Sequence, residues 1–211
     1  MIRYVHLLAA FSLFPTSPLF LAADGDDPMP LEIGAAAPDF DLPGVDGKSH
    51  SLKEYVGSKL LAIVFTCNHC PTAQAYEGRL KQLVKDYRGR GVAVVAISPN
   101  APEAVRLNEL GYTDLSDSLD EMKIRAKDAG FNFPYLYDGE TQKIARAYGP
   151  AATPHVFLFD AATKLRYRGR IDDSEDLAGV KSRDLGNALD AILAGKPVPV
   201  EPIVGIGAEV I

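Results

Sequence analysis

Six consecutive apolar residues, Leu60-Leu61-Ala62-Ile63-Val64-Phe65, predict a strand buried on both faces. Val92 to Ile97 repeats that signature. Between them, Ala73, Tyr76, Leu80, Leu83, Val84 and Tyr87 recur at spacings of 3, 4, 3, 1 and 3, one face of a helix. Gly78 weakens that helix by about 1 kcal/mol relative to Ala. Asn100, with Glu103 three residues on, can open a short helix. Ser118-Leu119-Asp120-Glu121 matches a capping box, with Met122 and Ala126 on one face behind it. Tyr135 to Tyr137 predicts a brief strand, and Thr141 to Tyr148 a helix with Ile144, Ala145 and Tyr148 inward. Val156 to Phe159 and Lys164 to Arg170 predict two strands joined by the turn Asp160-Ala161-Ala162-Thr163. Leu185, Ala188, Leu189, Ile192 and Leu193 mark a closing amphipathic helix. Upstream, Phe40 to Leu42 and Ser49 to Leu52, linked by Pro43-Gly44-Val45-Asp46-Gly47, form a hairpin. Alternating β and α elements predict an α/β domain: a mostly parallel sheet, helices on both faces, antiparallel edge strands from the terminal hairpin.

Residues 1–23 have the layout of a secretory signal peptide. Arg3 supplies the positive end, Val5 to Phe14 are mostly apolar, and Leu21-Ala22-Ala23 precedes the polar Asp24-Gly25-Asp26-Asp27. The interruptions at His6, Pro15, Ser17 and Pro18 leave it short of the roughly 20 apolar residues a span requires. Residues 24–34 are polar and Pro-rich and are expected as a flexible leader, 35–196 as the domain, and 197–211 as an irregular tail packed on it. Processing at residue 23 leaves 188 residues with 21 basic and 28 acidic side chains, a charge of −7. That length supports one domain with a full core. The basic residues are scattered, which argues against a nucleic-acid partner. No later segment is long and apolar enough for stable membrane insertion once the signal is removed.

The chain has two cysteines, Cys67 and Cys70, in Phe65-Thr66-Cys67-Asn68-His69-Cys70-Pro71. They fall where the first buried strand gives way to a helix. Backbone N–H groups and the macrodipole there favour thiolate over thiol. In an oxidising compartment the pair is expected as a disulfide. As a structural staple, a loop of four residues adds only about 2 kcal/mol in the chain-entropy model, so redox chemistry is the stronger explanation. Cys67 is the expected nucleophile, at the helix N-cap and the more exposed of the two; Cys70, one turn further in, is the expected resolving thiol. His69 and Asn68 between them would tune the redox poise: a protonated His69 stabilises the thiolate and makes the disulfide more oxidising. His155 is a possible neighbour of the sulfurs. Glu77, two turns beyond Cys70, is a possible proton relay. The acidic run Asp114 to Glu121 fails the EF-hand pattern, with no Gly at its sixth position and Arg125 at its twelfth, and helix capping accounts for it better.

These blocks resemble the thioredoxin fold, and more closely its redoxin branch, the alkyl hydroperoxide reductase / thiol-specific antioxidant (AhpC/TSA) superfamily. Ala37-Pro38-Asp39-Phe40-Asp41-Leu42 is similar to that branch's N-terminal hairpin. Phe65 to Pro71 followed by Tyr76-Glu77-Gly78-Arg79-Leu80 resembles a peroxiredoxin-like subgroup, as do Phe133 to Asp138 and Thr153-Pro154-His155-Val156-Phe157-Leu158-Phe159-Asp160. The resemblance spans about Ala36 to Lys196. It implies a thioredoxin-like fold: a central mixed sheet with helices on both faces and an N-terminal β-hairpin extension. It also implies a cis Pro154 whose loop, with Thr153, faces the cysteines and docks the backbone of a partner.

The chain departs from the peroxidatic P-x-x-x-T-x-x-C frame, because Thr66 adjoins Cys67. It has no Trp, and Leu61 stands where thioredoxin carries a buried acid. The expected activity is therefore that of an exported (periplasmic or secreted) thiol–disulfide oxidoreductase. Its partners would be protein or small-molecule thiols and disulfides, together with a separate redox partner. No organic cofactor is expected beyond the redox-active Cys67–Cys70 disulfide, and no metal. The alternatives are a thiol peroxidase, a Cu(I)- or Zn(II)-binding module using the thiolates with His69 or His155, and a domain whose disulfide is inert.

Overall fold

The computed structural model of the protein describes residues 29–105 and 115–198. The segment expected as a signal peptide and the tail beyond Val198 lie outside the described residues. In chain order the elements are β1 (Asp41–Pro43), β2 (Ser49–Ser51), β3 (Leu60–Phe65), α1 (Pro71–Tyr87), β4 (Val92–Ser98), α2 (Leu119–Asp128), β5 (Tyr135–Tyr137), α3 (Lys143–Tyr148), β6 (His155–Asp160), β7 (Leu165–Gly169) and α4 (Asp184–Leu193). Strands β1 and β2 form the antiparallel hairpin. The other five make one mixed sheet in the order β5-β4-β3-β6-β7. β3, β4 and β5 run parallel, while β6 is antiparallel to both β3 and β7. Only β7 of the terminal hairpin is an edge strand; β6 lies inside the sheet, against β3.

The continuous apolar runs are what a doubly covered sheet requires. On one face Leu60, Ala62 and Val64 of β3 pack with Tyr76, Leu80 and Val84 of α1, Met122 of α2, and Leu185, Ala188 and Leu189 of α4. On the other, Leu61, Ile63 and Phe65 pack with Phe40 and Leu42 of the hairpin and with Ile144, Ala145 and Tyr148 of α3. Alternation along one strand thus feeds two cores. Ser118 caps α2 by accepting from the Glu121 N–H. Helix α3 begins at Lys143 rather than Thr141, because the N–H groups of Thr141 and Gln142 both turn back to the Asp138 carbonyl.

The expected flexible leader needs correction. From Met29 onward it is tied to the domain: Leu31 N–H donates to the Tyr148 carbonyl, Gly34 N–H to that of Leu165, and Arg168 Nη1 to that of Leu31. Gly149, which ends α3 at φ +63°, admits this segment; a Cβ there would stand 2.5 Å from the Met29 carbonyl oxygen. Among the described residues no helix is long and apolar enough to cross a membrane.

Candidate functional site

The strand register builds the site. Antiparallel β3 and β6 pair Phe65 with His155. Carrying that register two residues past the end of β3 sets Cys67 opposite Thr153, in the loop leading into β6. The contact is there: Cys67 Sγ lies 3.2 Å from Thr153 Oγ1, and Cys70 Sγ donates to the Thr153 carbonyl at 3.7 Å. The Thr153–Pro154 peptide is cis. The two sulfurs are not bonded to one another, so the structure presents the dithiol.

Two expectations about the cysteines need correction. The N-cap of α1 is Cys70, not Cys67, with Pro71 at the first helical position, where its missing N–H costs nothing. Cys67 is the more accessible of the two, as expected, but both thiols are buried, at 3% and 1%, so neither is the ready thiolate that a helix N-terminus favours. Burial pushes the Cys67 thiol well above its ordinary pKa; its bond with Cys70 and the charge of Asp117 act in the same direction, and the Thr153 hydroxyl opposes them. The dipole of α1 alone therefore does not make Cys67 a ready thiolate.

Asn68 and His69, the residues expected to tune the redox poise, do not face solvent. Both are buried, held by residues from the segment before α2. Asp117, fully buried, accepts from Asn68 N–H at 2.7 Å and His69 N–H at 3.3 Å through Oδ1. Its Oδ2 lies 2.7 Å from His69 Nδ1 and accepts from Asn100 Nδ2 at 2.9 Å. Asn68 Nδ2 donates to the Ser116 carbonyl, and Asn68 Oδ1 accepts from the Tyr135 hydroxyl at 3.2 Å. The C-x-x-C turn is thus bolted to the loops that follow β4 and precede α2. Sequence reasoning missed Asp117. It lies inside the acidic run explained by helix capping, and only the neighbouring Ser118 caps.

Glu77 is not aimed at the cysteines: Arg125 of α2 grips its carboxylate through Nε and Nη2 at 2.8 and 2.9 Å. His155 is buried and stacked on Phe157, with Nδ1 accepting from Ala151 N–H. Donor atoms of Cys67, His69 and Asp117 come within 4.8 Å of one another, the kind of grouping a cation could use; His155 is not part of it. The carboxylate of Asp117 also accepts from N–H donors through both oxygens.

Residues 33–168 match the sequence profile of the AhpC/TSA family. The chain belongs to the AhpC/TSA family. Its architecture is the thioredoxin-like one expected of the resemblance, with the small hairpin sheet added at the N-terminal side. Among solved structures, this AhpC/TSA chain is similar to an uncharacterized conserved protein from Geobacillus kaustophilus (38% identity, 85% of this chain and 91% of that one, TM-score 0.74). A hypothetical protein from Sinorhizobium meliloti 1021 is comparably similar (36% identity, 85% and 94%, TM-score 0.74). Among curated relatives, the thiol-disulfide oxidoreductase ResA of Geobacillus thermodenitrificans (strain NG80-2) is 27% identical over 136 residues, 64% of this chain and 68% of the relative.

Proposed function

We propose that this AhpC/TSA protein is an exported thiol–disulfide oxidoreductase whose working pair is Cys67 and Cys70. The observation that carries the reading is the position of both sulfurs at the start of α1, against Thr153 and the cis Thr153–Pro154 peptide. The curated relative named as a thiol-disulfide oxidoreductase supports the same chemistry. In the reducing direction, the Cys67 sulfur attacks a partner disulfide, forming a mixed disulfide and expelling one partner thiolate. Cys70 then attacks Cys67 Sγ, the mixed disulfide breaks, and the second partner thiolate leaves. Two electrons pass from the dithiol to the partner, and the two thiol protons end on the partner's sulfurs. The oxidising direction is the same sequence reversed. Thr153 touches both sulfurs, and with Pro154 it is assigned the docking of partner backbone. The N-terminal charge and hydropathy pattern supports export, to be checked by fractionation of the full chain.

Cys70→Ala tests the exchange. It should accumulate mixed disulfides through Cys67, resolvable by added dithiol, whereas Cys67→Ala should trap none. A Cys70→Ala protein that captures neither protein nor small-molecule thiols, alongside a wild type inert to dithiols, would overturn the assignment.

A further inference from the structure

Burial and a nearby carboxylate both hold the proton on Cys67, yet exchange needs that proton removed. The protein must therefore supply an acceptor, and the cluster around the turn contains one. A ring nitrogen of His69 and a carboxylate oxygen of Asp117 lie within 4.8 Å of Cys67 Sγ. The ring is not free to rotate away: Asp117 Oδ2 stands 2.7 Å from Nδ1, and the same carboxylate holds the His69 backbone N–H. A carboxylate only accepts, so this contact places the ring hydrogen on Nδ1. A second proton on that ring gives an imidazolium beside a carboxylate, which the pairing stabilises. A nucleophile, an imidazole in the same buried grouping and a third group orienting that imidazole are the parts of an activated nucleophile.

We propose that Asp117 is a positioning residue for disulfide exchange, holding His69 so that the imidazole takes the proton of Cys67 as its sulfur becomes a nucleophile. The inference rests on the exchange reading above. The S–H bond of Cys67 breaks and an N–H bond forms on His69. The thiolate then displaces one sulfur of the partner disulfide, and the expelled thiolate recovers the proton from the imidazolium. The imidazole ends as it began. Asn100 contributes by bonding the same Oδ2, which fixes the carboxylate plane. Among the described residues, the ionisable groups near this cluster include Cys70 in the same turn, Tyr135 on β5, kept protonated by burial and linked through Asn68, and the Glu77–Arg125 pair bridging α1 and α2. The partners of Glu77 and Tyr135 leave neither better placed than Asp117 to hold the ring.

The test is the ionisation of Cys67, followed by the ultraviolet absorbance of its thiolate against pH in a Cys70→Ala background. Two accounts predict opposite signs. If Asp117 acts only as a neighbouring negative charge, Asp117→Asn removes a term that opposes the thiolate, and Cys67 ionises at lower pH. If Asp117 holds the base, Asp117→Asn moves the ionisation to higher pH, and His69→Gln moves it the same way. The double variant then adds little to either single one. Exchange with a model dithiol near neutral pH should fall on the order of a hundredfold in each. His69→Gln leaves the Asp117 bonds to the turn in place, so it decides the matter should Asp117→Asn not fold. A shift to lower pH or no shift in either folded variant overturns the proposal, as does full additivity in the double. The absorbance needs no partner, so failure of the mixed-disulfide trap with a normal titration refutes the exchange reading alone.

Discussion

His155 should make the fold acid-sensitive in a defined window. Its ring is 1% accessible and lies on Phe157 with centroids 4.9 Å apart. Its Nδ1 accepts from Ala151 N–H, and its Nε2 has no hydrogen-bond partner among the described residues. Burial, with Arg168 adding repulsion, pulls its pKa down to about 4 from an ordinary 6.5. The unfolded chain therefore binds a proton that the native protein refuses between those values, so stability rises with pH there and is lost as pH falls through it. Against the neutral range, the imbalance amounts to about 2 kcal/mol of lost stability by pH 5. His155→Gln keeps an acceptor for Ala151 and removes the titration. Urea unfolding of both proteins at about pH 7.5, above the window, and at about pH 6 and 5, inside it, should show wild type losing about 2 kcal/mol more than the variant over that span. Carboxylates common to both cancel in the difference. Parallel losses in the two proteins would show that His155 stays accessible to protons in the native state, and the reasoning from burial would fail.

Other sites give sharper local outcomes. Thr153→Val removes the hydroxyl 3.2 Å from Cys67 Sγ, and in the Cys70→Ala background the thiol should ionise at higher pH, read from its ultraviolet absorbance, for the loss of one hydrogen bond. Arg79 holds Asp172 at 2.7 Å, donates to the Ser174 and Glu175 carbonyls, and stacks on Tyr76. Arg79→Ala leaves a buried carboxylate uncompensated and should lower the unfolding free energy by about 3 kcal/mol, with faster amide exchange in residues 173–176. Ser118→Ala removes the cap of α2 and should cost about 1 kcal/mol in the same urea assay, with the circular dichroism of the native state preserved.

The elements visible in the chain were those whose cause is local. Two unbroken apolar runs can only be doubly covered strands in a domain of this size, and β3 and β4 are that. The face of α1 shows because its contacts repeat every turn. The position of β6 did not show. A hairpin pattern for β6 and β7 says that they pair with each other, and nothing in it says which of them reaches β3. The bound leader escaped for a similar reason. Its polar and Pro-rich composition describes a chain with little to bury, whereas its attachment is backbone hydrogen bonding to Tyr148 and Leu165, which composition does not encode.

The candidate site divides along the same line. Cys67 and Cys70 were legible because two thiols three residues apart after a buried strand have few other uses, and Thr153-Pro154 because the resemblance reached them. Asp117 was hidden by separation: about fifty residues lie between it and the turn it holds. Its neighbours disguised it further, since an Asp beside a capping Ser is explained by the helix that follows. The overlooked signal was a chemical deficit. A C-x-x-C pair with Leu61 where thioredoxin has its acid, and a His between the sulfurs, calls for a carboxylate from another part of the chain. The loops at the C-terminal ends of the parallel strands β3 and β4 are where such a group can arrive, because that edge of an open α/β sheet is where separate segments converge. Asn100 follows β4, Asp117 precedes α2, and both meet His69 there. On the role proposed for Asp117, the acid missing from one position of the fold is supplied from another, and that substitution is what Asp117→Asn puts to the test.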